Sequence, residues 1–176
     1  IGYQIRVKVL SSEKYGDPQR RRRLIILGAR NDIKLPDMPE PTHGLGLLPI
    51  MTCKDALQKF ESEHPTKPTS CGAVRIGDAV VYNHIIPRHK PGANEDYELI
   101  EDQPSRTILA RSRPHIHYNG ERYISVREAA WLQSFPTTYR FFGSSANQYT
   151  QVGNAVPVKL STAIARGVAV VHGCAV

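Results

Sequence analysis

A glutamine followed directly by four arginines forms the densest group of potential ligand-binding side chains in the sequence. In an extended backbone Gln19, Arg21 and Arg23 would project to one side, with Arg20 and Arg22 on the other, because successive side chains alternate. Two guanidinium groups and an amide on one face could bind a phosphate bidentately and reach the edge of a nucleic acid base. Four consecutive arginines are also typical of a solvated surface patch, and the residues alone leave both interpretations open.

A second candidate site lies in QVGNAVPV, residues 151–158. Gly153-Asn154 is a dipeptide typical of turns, and Asn is a favoured residue at the N-cap of a helix. Beyond it, apolar residues recur at helical spacing up to Gly173, which is typical of a helix end. The pattern predicts a polar loop that delivers Asn154 to the start of a last helix. By spacing alone, a capped amphipathic helix with no further role is the simpler interpretation.

The stretch RYISVREAAWLQSFP, residues 122–136, predicts the helix that precedes this loop. Ser125 stands three residues before Glu128, so the hydroxyl and the carboxylate can bond to each other's backbone N–H groups in a capping box. Pro136 is expected to stop the helix. Arg127 and Glu128 can tie the helix to neighbouring segments through hydrogen bonds, with no chemistry of their own.

Two apolar segments near the beginning of the chain predict paired strands. Every second residue from Tyr3 to Val9 is apolar, which is the period of a half-buried strand. Residues 24–27 are continuously apolar, as in a strand covered on both faces. The polar connection over residues 11–18 is too short for a helical crossover, so an antiparallel pair is expected.

The middle of the chain is less regular. Residues 31–50 are rich in Pro and Gly and predict an irregular excursion. Thr52 and Asp55 form a second predicted capping box, which opens a short helix. Residues 71–86 alternate weakly around two glycines, as a β-hairpin would. Residues 92–105 are acidic and predicted to be linker-like.

The composition limits the possible settings and partners. A net charge of +7 and a pI of about 9.5 favour a polyanionic partner without specifying one. The three cysteines are widely spaced without a C-x-x-C pair, which favours a reduced intracellular setting and argues against a zinc site. No apolar run is long enough to cross a bilayer, and the start without Met predicts a fragment of a longer chain.

The histidines His84, His89, His115 and His117 invite a metal-site interpretation, but no carboxylate or cysteine lies at ligand spacing. Surface or hydrogen-bonded histidines are predicted instead, and no metal is expected. The basic loop over residues 88–92 could follow phosphates or simply be solvated.

Three segments together resemble the cytosine-C5 DNA methyltransferase family. Y-G-D-P-Q and the arginines that follow it resemble the family's Q-x-R-x-R motif. R-x-x-S-V-R-E-A-A-x-L-Q-S-F-P and Q-V-G-N-A-V-P resemble its last two conserved motifs, in the same order. The match covers the whole chain and is weakest over residues 31–105. Small departures from the family pattern stand at Asp17, Trp131, Thr137 and Val158.

The resemblance implies a fold and a division of the chain. The expected fold is α/β, the C-terminal part of a Rossmann-like S-adenosylmethionine-dependent methyltransferase with an inserted, mostly irregular or β target-recognition region. Residues 1–30 would be the last strands of the catalytic domain. Residues 31–106 would be the target-recognition region. Residues 107–176 would return to the catalytic domain and supply the cofactor-pocket helix.

The resemblance also implies roles for individual residues. Those expected to contact the DNA backbone and the extruded cytosine are Gln19, Arg21 and Arg23. Those expected to contact S-adenosylmethionine are Gly153, Asn154 and Ala155. Those expected to support the target-recognition region are Arg122, Ser125, Arg127 and Glu128.

The family's catalytic groups do not occur in this sequence. Its nucleophile is a Cys after a Pro, assisted by a Glu in an E-N-V motif, and no cysteine here follows a proline. The chain is therefore expected to supply DNA contacts, target recognition and part of the cofactor pocket, but no catalytic residue. It should depend on a missing N-terminal part of the same polypeptide and be inactive alone.

Two other functions stay open. One is a tRNA cytosine-C5 methyltransferase of the same family, with RNA the less favoured partner. The other is a catalytically dead relative that binds DNA or regulates. No membrane partner is expected. The expected location is the nucleus if the source is eukaryotic, from the arginine run and the wording of the motifs, and otherwise the cytoplasm.

Overall fold

The computed structural model of the chain describes residues 2–63, 73–76, 79–82, 97–111, 115–120 and 122–173. Several residues singled out in the sequence lie outside this part. They are Cys71, Cys174, His84, His89, the glycines at 72 and 77, and the basic loop over residues 88–92. None of the described helices is long and apolar enough to cross a bilayer.

The two predicted strands form an antiparallel pair, as expected. Strand β1 (Tyr3–Ser11) runs beside β2 (Arg22–Arg30), with Tyr3 opposite Arg30 and Ser11 opposite Arg22. A 3₁₀ turn, Ser12–Tyr15, begins the connection and ends at Gly16. Gly16 has a φ of +89°, and a Cβ there would lie 2.7 Å from the His43 ring, so the turn requires glycine.

In the described part of the chain the strand pair is covered on one face only. Leu10, Ile25 and Leu27 of the strands form one apolar cluster with Tyr15 and Met38. The last helix of the chain contributes Leu160, Ala163 and Ile164 to this cluster. On the opposite face Leu24 is 59% exposed and Ile26 is 61% exposed. The prediction that residues 24–27 are covered on both faces is therefore wrong for the described chain. Tyr3, Ile5, Val7 and Val9 extend the same exposed apolar face along β1.

Helices α1 (Cys53–Glu63) and α2 (Val126–Leu132) begin with the two predicted capping boxes. The backbone N–H of Asp55 donates to Thr52 Oγ1 at 3.1 Å, and that of Thr52 donates to Asp55 Oδ2 at 3.2 Å. The two helices share one buried core with residues 99–152, so the sequence from Cys53 to Phe60 packs with the C-terminal half. The buried members of this core are Cys53, Ala56, Leu57, Leu99, Ile108, Ile124, Val126, Ala129, Ala130, Leu132, Phe141, Tyr149 and Val152.

Short strands lie between α1 and α2. Strands β3 (Ala73–Ile76) and β4 (Ala79–Tyr82) pair antiparallel, which confirms the predicted hairpin. Strand β5 (Tyr97–Glu98) pairs in parallel with β6 (His115–Ile116). The linker-like prediction is wrong for residues 97–105, because Leu99 and Ser105 are buried and bond to other segments.

The chain leaves α2 before Pro136. The helix ends at Leu132, and Ser134 adopts a left-handed conformation with a φ of +59°. Pro136 therefore follows the helix end rather than causing it. A helix that the sequence did not predict, α3 (Ser145–Asn154), then begins at Ser144, whose hydroxyl accepts from the Asn147 N–H.

The predicted role of Asn154 as an N-cap is wrong. Gly153 and Asn154 are the last two residues of α3, not a turn before the next helix. Ala155 is extended, and Pro157 cannot donate a backbone N–H, so helix α4 starts afresh at Val158. It ends at Val171, shortly before Gly173 at a φ of +67°, which confirms the predicted stop.

Candidate functional site

A buried arginine joins the two candidate sites. Arg21 is only 3% exposed, and its Nη1 donates to the carbonyl of Ile108 at 3.0 Å. Its Nη2 donates to the carbonyl of Gly153 at 2.6 Å, across 132 positions of sequence. Burial, with the nearby charge of Arg23, lowers the Arg21 pKa to about 10. The group therefore remains cationic at neutral pH and ties the arginine run to the end of α3.

Gln19 anchors the same segment. It is completely buried, and its Oε1 accepts from the Ile108 N–H at 3.1 Å. Gln19 also forms a parallel bridge with Ser105, and the Arg20 N–H donates to the Ser105 carbonyl at 2.7 Å. Residues 105–108 are thus held against the arginine run chiefly through backbone atoms.

The arginine run alternates as predicted, with Gln19 and Arg21 inside and Arg20 and Arg22 exposed. Arg23 is half-buried, and its Nη1 donates to the Arg22 carbonyl at 2.7 Å. Of the three residues expected to contact DNA, only Arg23 reaches the surface in this conformation. Gln19 and Arg21 bind the chain's own backbone.

The three residues expected to contact a cofactor differ in their surroundings. A Cβ on Gly153 would lie 2.4 Å from the N and Cα atoms of Ala110, so glycine is required by the approach of the chain itself. Asn154 is exposed, and its side chain makes no hydrogen bond within the described part of the chain. Ala155 is half-buried in an extended conformation at the junction of α3 and α4.

Two residues that the sequence left without a role hold this junction in place. Gln133 Nε2 donates to the Val152 carbonyl at 2.6 Å, and the Gln133 carbonyl accepts from the Val158 N–H at 3.0 Å. Asp17, completely buried, accepts from the N–H groups of Lys159 at 3.2 Å and Leu160 at 3.0 Å. Asp17 therefore caps α4 from 142 residues away. No local sequence signal marks either contact.

Burial has a larger effect on the pKa of Asp17 than the hydrogen bonds that the carboxylate accepts. It raises the pKa of the carboxyl group, while a hydrogen bond from Ser134, those from the two helix N–H groups and the charge of Lys159 lower it. Lys159 Nζ also donates to the Gly16 carbonyl at 2.8 Å. The turn before the arginine run and the first turn of α4 are thus one connected unit.

Three of the predicted supporting residues, Arg122, Ser125 and Glu128, form a partly buried ionic cluster with Glu61. Arg122 donates from Nη1 and Nη2 to the two oxygens of Glu128, at 2.9 and 2.7 Å, and from Nη2 to Glu61 Oε1 at 3.0 Å. Glu128 also accepts from the Ser125 N–H at 2.7 Å, which completes the capping box. Burial alone would raise the pKa of Glu128, but Arg122 and the Ser125 N–H hold it below its ordinary value.

The same cluster resembles a metal site in its donor atoms. One atom each from Glu61, His117 and Glu128 lies within 4.8 Å of the others. The guanidinium of Arg122 already bonds to both carboxylates and supplies the positive charge that a metal ion would bring. His117 Nδ1 accepts from the Asn119 N–H, and burial and Arg122 lower the His117 pKa.

The other predicted supporting residue, Arg127, fixes the loop after α2. Its Nη1 donates to the Tyr139 carbonyl at 2.6 Å, and its guanidinium lies 5.9 Å from the centre of the Phe141 ring. Burial lowers the pKa of Arg127.

The prediction of hydrogen-bonded histidines is confirmed for two described histidines, His117 and His115. His115 Nε2 lies 3.2 Å from the Thr107 carbonyl. Both are buried rather than at the surface.

The described cysteine is not placed to act as a nucleophile. Cys53 is completely buried in the main core, and burial raises its pKa to about 12. A thiol with that pKa stays protonated at neutral pH, whereas the thiolate is the reactive form.

Solved structures of methyltransferases share this fold. The chain aligns over 98% of its length with a crystal structure described as a DNA modification methyltransferase encoded within a prophage (E. coli), with a TM-score of 0.65 and 19% identity, covering 62% of that chain. It aligns equally far with S. pombe Dnmt2 methyltransferase, with a TM-score of 0.51 and 17% identity, covering 58% of that chain. The α/β fold predicted for a Rossmann-like methyltransferase is thereby confirmed.

The sequence comparisons define the family. The profile of the C-5 cytosine-specific DNA methylases matches residues 1–169. Type II methyltransferase M.MthTI of Methanothermobacter thermautotrophicus is 34% identical over 94% of this chain, and M1.HphI of Haemophilus parahaemolyticus is 31% identical over 96%. The chain belongs to the C-5 cytosine-specific DNA methylase family. It spans about half the length of these relatives, 56% and 48% respectively.

The family implies S-adenosylmethionine as the methyl donor, and Asn154 at the end of α3 has an exposed amide that suits a polar ligand. The Asn154 amide can both donate to and accept from polar groups of a ligand, and no described residue competes for it. Ala155, which follows it, is half-buried and extended. Gly153 contributes differently, because the space next to its Cα is filled by Ala110 of the same chain.

Proposed function

We propose that this chain is part of a DNA (cytosine-5-)-methyltransferase, which transfers a methyl group from S-adenosylmethionine to C5 of a flipped-out cytosine. The observation that supports this most directly is the bond from Arg21 to the Gly153 carbonyl. Methyl transfer requires the target base and the donor to be adjacent. That bond joins the arginine run to the α3 end, which are the segments proposed to bind DNA and cofactor.

The proposed division of labour follows from exposure. Arg23 reaches the surface and would bind a DNA phosphate, while Gln19 and Arg21 position the segment from inside. Asn154 and Ala155 would contact S-adenosylmethionine, which supplies an electrophilic methyl group when bound. Gly153 allows α3 to approach residues 109–110 closely enough for both sites to form.

The proposal also covers the parts with a supporting role. Residues 31–106 would read the DNA sequence, and Arg122, Ser125, Arg127 and Glu128 would hold the adjoining helix and loop. The target cytosine must leave the duplex stack, because its reacting atoms are inaccessible within it. The nucleophile would come from residues beyond this chain, and the chain by itself would transfer no methyl group.

The test uses the native polypeptide that carries this sequence. Transfer from tritiated S-adenosylmethionine to duplex DNA, mapped by bisulfite sequencing, should place the methyl group on C5 of cytosine. Arg23→Ala should raise KM for DNA roughly tenfold, as expected for loss of one phosphate contact. Asn154→Ala should raise KM for S-adenosylmethionine about tenfold, which corresponds to a hydrogen bond of about 1.4 kcal/mol.

Arg30→Ala is the matched control, since this exposed arginine on the same strand pairs with Asp32 and lies outside both proposed sites. Preferential methylation of tRNA in a competition assay would overturn the DNA assignment. Binding of DNA and S-adenosylmethionine without any transfer would show instead that the protein is a catalytically dead relative.

A further inference from the structure

A basic cavity lies beside the arginine run, at the end of the strand pair. It has a volume of about 330 Å³ and is lined by Lys8, Lys14, Arg20 and Arg22, with Glu13 among them. The fold brings these residues together from three places. β1 supplies Lys8, the 3₁₀ turn supplies Glu13 and Lys14, and the arginine run supplies the rest. The site is therefore built by tertiary structure rather than by one charged stretch.

The charges around the cavity do not cancel. Glu13 is buried, accepts from Ser11 Oγ at 2.6 Å, and lies 3.6 Å from Arg20 Nε. Lys8, Lys14 and Arg22 have no carboxylate within 4 Å among the described residues, and all three are exposed. Four cations thus face one carboxylate, so the cavity attracts a polyanion.

Backbone hydrogen bonds fix the 3₁₀ turn that forms one side of the cavity. The Lys14 carbonyl accepts from the N–H groups of Thr42 at 2.9 Å and His43 at 3.0 Å, which fixes the turn. The register of the strand pair places Ser11 opposite Arg22 at the end of the ladder. Lysine and arginine side chains on such a base can bind phosphate oxygens without reorganising the fold.

The lining also decides between classes of phosphate ligand. The aromatic residue at the cavity, Tyr15, is buried and donates its hydroxyl to the Pro39 carbonyl at 2.9 Å. It therefore offers no free face on which a base could stack. Unpaired cations without a stacking surface suit the sugar–phosphate backbone, which is bound independently of sequence.

We propose that this cavity is a second phosphate-binding site for the DNA backbone, formed by Lys8, Lys14, Arg20 and Arg22. It rests on the proposed function, because the polyanion is taken to be the DNA substrate. Within the arginine run Arg20 and Arg22 lie opposite Gln19, Arg21 and Arg23, so they would contact phosphates other than the one that Arg23 binds. The site contributes affinity and orientation but no sequence preference.

The experiment compares the native polypeptide with its Lys8→Ala/Lys14→Ala variant in DNA binding at several salt concentrations. Each phosphate contact contributes about 0.9 to the slope of log K against log salt, so the slope should fall by about 2. Affinity should fall roughly tenfold or more, by a similar factor on cognate and unrelated duplexes. Under turnover the loss should appear in KM for DNA. Lys8→Arg/Lys14→Arg should retain binding, and Lys34→Ala, an exposed lysine outside the cavity, is the control.

Other results would overturn the site while leaving the proposed function intact. One is an alanine variant whose slope of log K against log salt is unchanged. Another is a loss of DNA affinity that is confined to one target sequence. A third is a loss of inorganic pyrophosphate or ATP binding with DNA binding retained, which would identify a small phosphorylated ligand. Thermal melting of the double variants shows whether the fold is kept, and Lys8→Gln/Lys14→Gln, which removes both charges but keeps the side-chain length, carries the test if the alanine variant unfolds. Failure of the unmodified polypeptide to bind or methylate DNA would instead overturn the proposed function.

Discussion

Glu128 shows how one buried carboxylate can set the direction of a loop and the start of a helix together. The carboxylate accepts hydrogen bonds from both Nη atoms of Arg122 and from the Ser125 N–H. Arg122 also donates to Glu61 of α1. A buried charge is costly unless its partners are in place, so removing one member leaves the others uncompensated. The local half of this arrangement, Ser125 with Glu128, is readable from spacing. The Glu61 contact is not, because it crosses 61 positions of sequence.

Glu128→Gln is expected to lower the free energy of unfolding by about 3 kcal/mol at neutral pH, since Arg122 would lose its ionised partner. The folded pKa of Glu128 lies below its ordinary value of 4.5. Its stabilisation is therefore fully present above pH 4.5 and is lost as the pH falls through the lower folded value. Urea unfolding of the native polypeptide from pH 7 to pH 3 measures this.

The matched control is Glu63→Gln, an exposed residue 3.9 Å from Lys59 on α1. It should leave both the stability and its pH dependence nearly unchanged. A Glu128→Gln variant as stable as the unmodified protein would show that the Arg122 pair contributes no net stability.

Burial of Gln19 and Arg21 is the main residue-level feature that the sequence could not give. Four consecutive arginines are typical of a surface patch. Strand alternation predicts only that two of them lie on the opposite side of the backbone from the other two. Which side is interior depends on where the Ile108 and Gly153 carbonyls lie, and these are distant in sequence.

At the scale of elements, α4 begins without a cap of its own. Its first residues follow Pro157, which makes no side-chain cap, and the N–H groups of Lys159 and Leu160 are satisfied by Asp17. This contact also gives a role to one of the sequence's departures from the family pattern. The position of α4 against the strand pair is therefore coupled to the turn that leads into the arginine run.

Asp17→Ala is expected to cost about 2 kcal/mol of unfolding free energy, because two helix N–H groups would lose a buried acceptor. Chemical denaturation of the native polypeptide measures the loss. Asp32→Ala, an exposed aspartate that pairs with Arg30 beyond the end of β2, should change stability very little. If the two variants proved equally stable, the cap would be of no energetic consequence.

The sequence predicted helix starts correctly where the capping residues lie within one turn of each other. Both capping boxes and the Gly173 stop were correct because each depends on residues within one turn. Helix α3 was missed because Asn154 has N-cap propensity and suggested a helix beginning there. Ser144 caps ten residues earlier, and Pro157 forces the chain to break after Asn154 instead.

At the scale of the whole molecule, the strand pair leaves a continuous apolar face open. Six large apolar side chains on this face are about half or more exposed. They are Tyr3, Ile5, Val7, Val9, Leu24 and Ile26. Strand alternation correctly grouped Tyr3, Ile5, Val7 and Val9 on one face, but the half-buried strand it predicted has this apolar face exposed in the described part of the chain.

The chain expressed by itself is expected to self-associate and to melt without a sharp transition, because this face would be in water. The variant Val7→Lys/Ile26→Glu places opposite charges on directly paired positions and should reduce association. Light scattering after size-exclusion chromatography measures the mass. The control Lys59→Glu/Glu63→Lys exchanges an exposed charge pair on α1, away from the strand pair, and should not reduce it. A monomeric unmodified chain with a cooperative melt would contradict the prediction.

The bonds that hold residues 105–108 against Gln19, Arg20 and Arg21 use main-chain atoms of those residues: the Ile108 carbonyl and N–H, and the Ser105 carbonyl. Main-chain atoms are the same whatever side chains a relative carries. A graft that replaces the residues between α1 and β5 with those of another family member therefore leaves these anchors chemically unchanged. The anchors lie outside the stretch from Glu63 to Tyr97, so they persist whatever sequence such an exchange introduces there.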